Sequence, residues 1–212
     1  MNPPPPKVAV LDYGSGNLRS AQRALERVGA VVTVTADLAV CSAVDGLVVP
    51  GVGAFAACAS ALETIGAGAM ITSRAAAGAP VLGICVGMQV LFDSGQEHGI
   101  SAKGLSVLPG TVRRLHAERL PHMGWNTVQA PPSSTLFAGL DSAARYYFVH
   151  SYAACDDDQA LSNIADSVIY TEHGKRFVAA VEHEAVAATQ FHPEKSGDAG
   201  MTVLQNWVRS LR

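Results

Sequence analysis

Two hydrophobic rhythms alternate along the first half of the chain. KVAVLD (7–12), VVTVT (31–35), GLVVPG (46–51) and PVLGIC (80–85) are short apolar runs that read as strands. VVTVT is β-branched and alternating, and PVLGIC is unbroken, as in a strand buried on both faces. Between them, Leu18, Ala21, Leu25 and Val28 form a helical stripe, with Asn17 placed to cap it and Gly29 to end it. Residues 54–63 and 67–77 also read as helices, and GMQVLFD (87–93) as the start of another. This repetition predicts a mostly parallel central sheet flanked by helices.

The rhythm changes in the second half. TVRRL, GWNTVQ, RYYFVHSY, SVIYTEHG, KRFVAAVE and AVAATQF follow one another closely, which predicts antiparallel pairing. A last helix near 198–210 carries Met201, Leu204 and Val208 on one face. No solenoid-length repeat and no linker interrupts the pattern. The expected architecture is a single α/β domain over 7–212 with an antiparallel strand extension. A disordered proline-rich tail is expected at 1–6.

Composition narrows the function classes. The chain has 212 residues, 49% of them hydrophobic, enough for one sizeable core. Its formal net charge of −3, with no basic stripe, argues against a nucleic-acid partner. MNPPPPK lacks the pattern of a secretory leader. Ala75 to Met88 is apolar but falls short of the ~20 residues of a membrane span and is broken by glycines and a proline. It reads as a buried strand and turn, so no membrane is expected. Cys41, Cys58, Cys85 and Cys155 form no C-x-x-C pair, which suits a reduced, cytoplasmic setting.

The chemistry gathers around one cysteine. Gly83-Ile84-Cys85-Val86-Gly87 leaves a buried strand and enters a helix. It is the thiol version of the G-x-S-x-G nucleophile turn, whose glycines make room for a sharp bend. A helix N-terminus at Cys85 would favour its nucleophilic form. A thiol nucleophile needs a base, and the base an orienting acid. His192 ends a strand in TQFHPEK (189–195), Pro193 stops the ladder, and Glu194 can hold the ring. Oxyanion donors are also required. Val86 N–H is one candidate, and Val52 and Gly53 of PGVG (50–53) lie at another strand end. His150 could compete as base but lacks an adjacent carboxylate.

Other groups have plainer readings. DYGSGNL (12–18) looks like a phosphate cradle, but a dinucleotide fingerprint needs glycine where Arg19 stands, and Asp37 alone is weak support for a ribose acid. The turn instead presents Asn17 at the carboxyl edge of the sheet. Glu182, His183 and Glu184 would split across the two faces of a strand, so a hairpin is expected and no metal. Asp156, Asp157 and Asp158 read as an exposed loop.

GICVGMQ together with FHPEK resembles the signature of the class I, triad-type glutamine amidotransferases. LDYGSGNL, VPGVGAF, PHMGWN (121–126) and YFVHSY (147–152) are similar to the glutaminase subunits of imidazole glycerol phosphate synthases within that family. Val86 replaces the more common Leu, and only its N–H is functional. The resemblance implies glutamine hydrolysis by Cys85, His192 and Glu194 through a thioester, without a cofactor. It implies that Gln89, Glu97 and Ser151 hold the L-glutamine end and that Val86, Gly53 and Val52 serve the oxyanion. It further implies a heterodimer partner, a (β/α)8-barrel cyclase subunit, received by Asn17, Met123, Trp125, Tyr147 and Lys195 and supplied with ammonia. Glutaminases serving pyridoxal phosphate or aminobenzoate synthesis are the nearest alternatives, and PHMGWN argues against them. A non-catalytic scaffold is disfavoured by the intact Cys85, His192 and Glu194 set.

Overall fold

The computed structural model describes residues 4–156 and 159–211. In chain order the elements are β1 (Lys7–Leu11), α1 (Leu18–Arg27), β2 (Val31–Thr35), α2 (Leu38–Ala43), β3 (Gly46–Gly51), α3 (Phe55–Thr64), α4 (Ala67–Ala76), β4 (Val81–Cys85) and α5 (Val86–Gln89). Then come β5 (Phe92–Glu97), β6 (Ile100–Lys103), β7 (Leu108–Arg114), β8 (His122–Asn126), β9 (Tyr146–His150) and β10 (Tyr152–Ala154). The chain ends with β11 (Ser167–His173), β12 (Lys175–His183), β13 (Val186–Thr189), a 3-10 turn (Pro193–Lys195) and α6 (Gly197–Ser210).

The main sheet has seven strands in the order β11-β12-β13-β4-β3-β1-β2. Pairing is parallel from β13 to β2 and antiparallel at the β11-β12-β13 end. β4 lies in the middle and every one of its residues is buried, which is why PVLGIC shows no polar alternation. A four-stranded sheet, β10-β7-β5-β6, and a two-stranded ribbon, β8-β9, stand beside it.

Several expectations change in the structure. The helix beginning at GMQVLFD stops after Gln89, and Phe92 enters β5, paired to Leu108 of β7. Gly95 explains the close packing there, since a Cβ would run into the Phe55 ring. Asn17 precedes α1 but makes no side-chain cap. Asp37 turns out to cap α2, with Oδ1 accepting from the Ala39 and Val40 N–H groups at 2.8 and 3.3 Å. The expected tail is shorter than 1–6: Pro6 is buried and its carbonyl accepts from Val31 N–H at 2.9 Å. Residues 1–3 lie outside the described residues, as do Asp157 and Asp158. Asp156 organises its turn by accepting from Leu161 N–H and the Tyr170 hydroxyl. Glu182 and His183 end β12 at a hairpin, and no cluster of metal-ligating side chains occurs among the described residues. Among the described residues, no single helix is long and apolar enough to cross a membrane.

Candidate active site

Three adjacent strands end at one place. The register pairs Gly51 with Cys85 and Thr189 with Ile84, so the ends of β3, β4 and β13 converge. This is the carboxyl edge of the parallel sheet, where open α/β folds bind ligands. Cys85 has φ 56° and ψ −114°, a conformation that an ordinary side chain adopts only under constraint. The constraint is packing. A Cβ at Gly87 would collide with the Val49 carbonyl, and one at Gly83 would lie 2.8 Å from the Gly87 oxygen. The glycines let β3, β4 and α5 touch, and the bend follows.

His192 follows β13 and is 3% exposed. Its Nδ1 lies 2.8 Å from Glu194 Oε1, which fixes the ring. Its backbone is fixed as well: the His192 N–H donates to the Tyr147 carbonyl at 3.0 Å, and the Ser196 hydroxyl to the His192 carbonyl at 2.6 Å. Burial pushes the imidazolium down. Hydrogen bonds and charge attraction from Cys85 and Glu194 outweigh that and lift it to about 9. The site therefore favours the protonated form of the ring beside Cys85.

Cys85, Val86, Val52, Gly53, Gln89, Glu97, Ser151, His192 and Lys195 all line one cleft of about 570 Å³. The structure thus brings together the residues expected for the nucleophile, base, oxyanion and substrate roles. Within the cleft, Glu97 Oε2 accepts from Phe55 N–H at 2.7 Å. Gln89 Nε2 donates to the Tyr152 carbonyl at 2.8 Å and to Gln190 Oε1 at 3.0 Å, so a ligand meets Gln89 through its own Oε1.

Val52 lines the cleft but does not turn its amide into it. Its N–H donates to Ser15 Oγ at 3.2 Å, and its carbonyl accepts from Ser15 Oγ at 2.8 Å and Cys58 Sγ at 3.3 Å. The Val52 amide is thus held by DYGSGNL instead of facing a ligand. Gly16 packs on Pro50, where a Cβ would come within 3.2 Å of the ring, and the Tyr13 hydroxyl donates to the Pro50 carbonyl at 2.7 Å. The loop that resembles a phosphate cradle is a clasp for PGVG.

His150 also lines the cleft, but both ring nitrogens are engaged, by His122 and by the Tyr152 carbonyl. Burial, reinforced by His122, pushes it down to about 3, so it is a poor proton acceptor. Sequence reasoning missed Gln190, whose Nε2 lies 3.7 Å from Cys85 Sγ. Gln190 lies just past β13, which ends at Thr189, and its place two residues before His192 was the available signal. Arg114, His98 and Tyr152 were also missed. Tyr152 acts through its carbonyl, which no side-chain pattern reveals.

The residues expected to meet a partner divide among several places. Met123 and Trp125 stand out from β8 at 62% and 53% exposure, and Trp125 packs edge-on against Tyr147 across the ribbon at 5.9 Å. Lys195 is exposed and lines the cleft, while Asn17 is exposed at the start of α1 and outside that lining.

Known proteins resemble this chain in sequence and in fold. Residues 9–211 match the family model described as glutamine amidotransferase class-I. The chain is 60% identical over 209 residues to the imidazole glycerol phosphate synthase subunit HisH of Corynebacterium diphtheriae, covering 97% of this chain and 99% of that one. It is 59% identical to the HisH subunit of Nocardia farcinica, covering 96% and 98%. Among solved structures, a putative GMP synthase subunit from Thermoplasma acidophilum shares the fold with a TM-score of 0.70 at 22% identity, covering 100% of this chain and 96% of that one.

Proposed function

The chain belongs to the class-I glutamine amidotransferases, and from that premise we propose that it is the glutaminase subunit of an imidazole glycerol phosphate synthase, serving histidine biosynthesis. One observation carries the chemistry: a strained, buried Cys85 shares a cleft with a His192–Glu194 pair at 2.8 Å.

Cys85 attacks the side-chain carboxamide carbon of L-glutamine as thiolate, its proton resting on His192. The carbonyl electrons move onto oxygen, which meets the Val86 N–H and, once PGVG rearranges, donors from Val52 and Gly53. Collapse expels ammonia, which takes the His192 proton and leaves a glutamyl thioester. His192 then removes a proton from water, the hydroxide attacks the thioester, and glutamate leaves with Cys85 restored. Glu194 keeps the ring oriented throughout. Glu97, Gln89 Oε1 and Ser151 receive the amino-acid end of the substrate, with Arg114 at the rim to attract its carboxylate.

The partner is a (β/α)8-barrel cyclase subunit in a heterodimer. It receives the ammonia and forms imidazole glycerol phosphate and aminoimidazole carboxamide ribotide. The exposed Met123 and Trp125 favour docking on the β8-β9 ribbon, continued by Tyr147, Asn17 and Lys195. The described fold from Pro6 onward acts as one amidotransferase domain. Its setting is the cytoplasm, which suits the free thiols at Cys41, Cys58 and Cys85.

The test is glutamate release with and without the barrel partner and its nucleotide ligand. Wild type is expected to be slow alone and strongly stimulated in the complex. Cys85→Ala is expected to lose at least about 10⁴-fold under both conditions while keeping its thermal midpoint. An active Cys85→Ala protein would overturn the nucleophile, and full activity of the isolated chain would overturn partner gating.

A further inference from the structure

The β8-β9 ribbon has two different faces. Strand pairing sets Met123 opposite Val149 and Trp125 opposite Tyr147 on the outer face, and His122 opposite His150 on the inner one. The inner polar groups form a single hydrogen-bonded chain whose direction can be worked out. The Tyr152 carbonyl can only accept, so His150 Nδ1, 3.0 Å away, carries a proton. In the neutral ring Nε2 is then bare. It faces His122 Nδ1 at 3.1 Å, so His122 donates from Nδ1 and is bare at its own Nε2. There it accepts from Asn126 Nδ2 at 3.3 Å. The Asn126 amide is oriented independently, because Oδ1 accepts from Thr127 N–H at 2.9 Å and Nδ2 also donates to the Glu172 carbonyl at 2.9 Å.

The chain continues inward. Gln89 donates to the same Tyr152 carbonyl and to Gln190, and Gln190 reaches the Cys85 sulfur. Stacking locks the middle: the His122 ring lies between Phe148 at 4.8 Å and His173 at 4.3 Å, and His173 Nε2 donates to the Arg119 carbonyl at 2.7 Å. Burial holds both relay rings neutral, which the chain requires, with His122 pushed down to about 4. The ribbon also holds the other half of the site, since the Tyr147 carbonyl and N–H bond His192 and Ser196.

We propose that Asn126, His122 and His150 are positioning residues for the hydrolysis. Their one-directional chain sets the Tyr152 carbonyl and the Gln89 and Gln190 amides against Cys85, and carries to the nucleophile the placement of the strand on which a partner sits. This rests on the partner reading above. Both histidines are Nδ1–H tautomers, the less common form for a neutral imidazole.

The first measurement, ¹⁵N NMR of the histidine rings at neutral pH, is independent of activity. Nδ1–H signatures at His122 and His150 are expected, and an Nε2–H form at either one overturns the chain. The second measurement uses the complex with the barrel subunit. His122→Phe keeps the stack but neither hydrogen bond, and should lower kcat for glutamine about tenfold, the effect of losing a buried hydrogen bond. Its KM and the ammonia-driven reaction of the barrel should stay near wild type. His122→Asn keeps the donor toward His150 and should recover most of the loss. Should His122→Phe not fold, Asn126→Asp on the half-buried outer end replaces it. Its carboxylate accepts where an amide donated, so His122 should switch to Nε2–H and kcat should fall. Wild-type kcat in these variants, or an equal loss in His122→Asn and His122→Phe, overturns the proposal. Failure of the wild-type complex to hydrolyse glutamine would instead overturn the functional reading.

Discussion

Two loops meet at the cleft, and they are held by different forces. The Gly83–Gly87 bend is fixed by sterics: three backbone segments touch, and no side chain has to choose a partner. The Val52–Gly53 loop that follows β3 is fixed by a few polar contacts on an exposed surface, chiefly Ser15 to the N–H and carbonyl of Val52, and Val52 is 44% exposed. A steric lock has one state. A hydrogen-bonded clasp near water has at least two, since its net worth is only about 1 kcal/mol per bond. On the proposed reading, Cys85 and His192 are therefore built in advance, while the loop offered for the oxyanion is left adjustable. A partner has something to act on at the loop, and at the bend only the amides set around Cys85, not the backbone.

The bend is the easier half to break. Gly87→Ala should give no folded protein, or one destabilised by more than about 4 kcal/mol, because the new methyl must displace the Val49 carbonyl. Soluble expression and a wild-type melting curve would show that the steric lock is wrong. A second substitution separates partner from loop. Trp125→Ala should weaken the complex about 30-fold, a loss of about 2 kcal/mol of anchor energy, and leave partner-free hydrolysis unchanged. Titration calorimetry reads the first and glutamate release the second.

A smaller effect tests the clasp. Ser15→Ala should raise partner-free hydrolysis about fivefold and lower the stimulation ratio to match, since about 1 kcal/mol of restraint on Val52 is lost. Unchanged basal activity would mean that Ser15 does not restrain the loop. The smallest concerns pH. Folding raises His192 from 6.5 to about 9, so the folded state favours the protonated ring. The stability this brings is complete below pH 6.5 and is lost as pH rises through about 9. The unfolding midpoint of wild type should fall across that window, and His192→Asn should show a flatter profile.

The parallel half of the fold was legible because buried central strands leave unbroken apolar runs, and the Gly83–Gly87 bend because sterics leave few residues that fit. β5 was not, since VLF (90–92) continues the apolar pattern of α5. The chain leaves the helix where the Val90 and Leu91 carbonyls accept from Leu105, Val107 and Leu108 N–H groups, long-range contacts that no local pattern encodes. α2 was missed because its start rests on the Asp37 cap and not on periodicity. In the site, Cys85, His192 and Glu194 are carried by local motifs. Ser15 and the Tyr152 carbonyl act across the fold, through contacts that no stretch of sequence contains.

The central claim is that Cys85 is acylated by glutamine. The most direct measurement is acid quenching of the complex during turnover, followed by peptide mass spectrometry. A glutamyl adduct on the Cys85 peptide, absent without glutamine, is the predicted result. Sustained glutamate release with Cys85 unmodified at every quench time would contradict it.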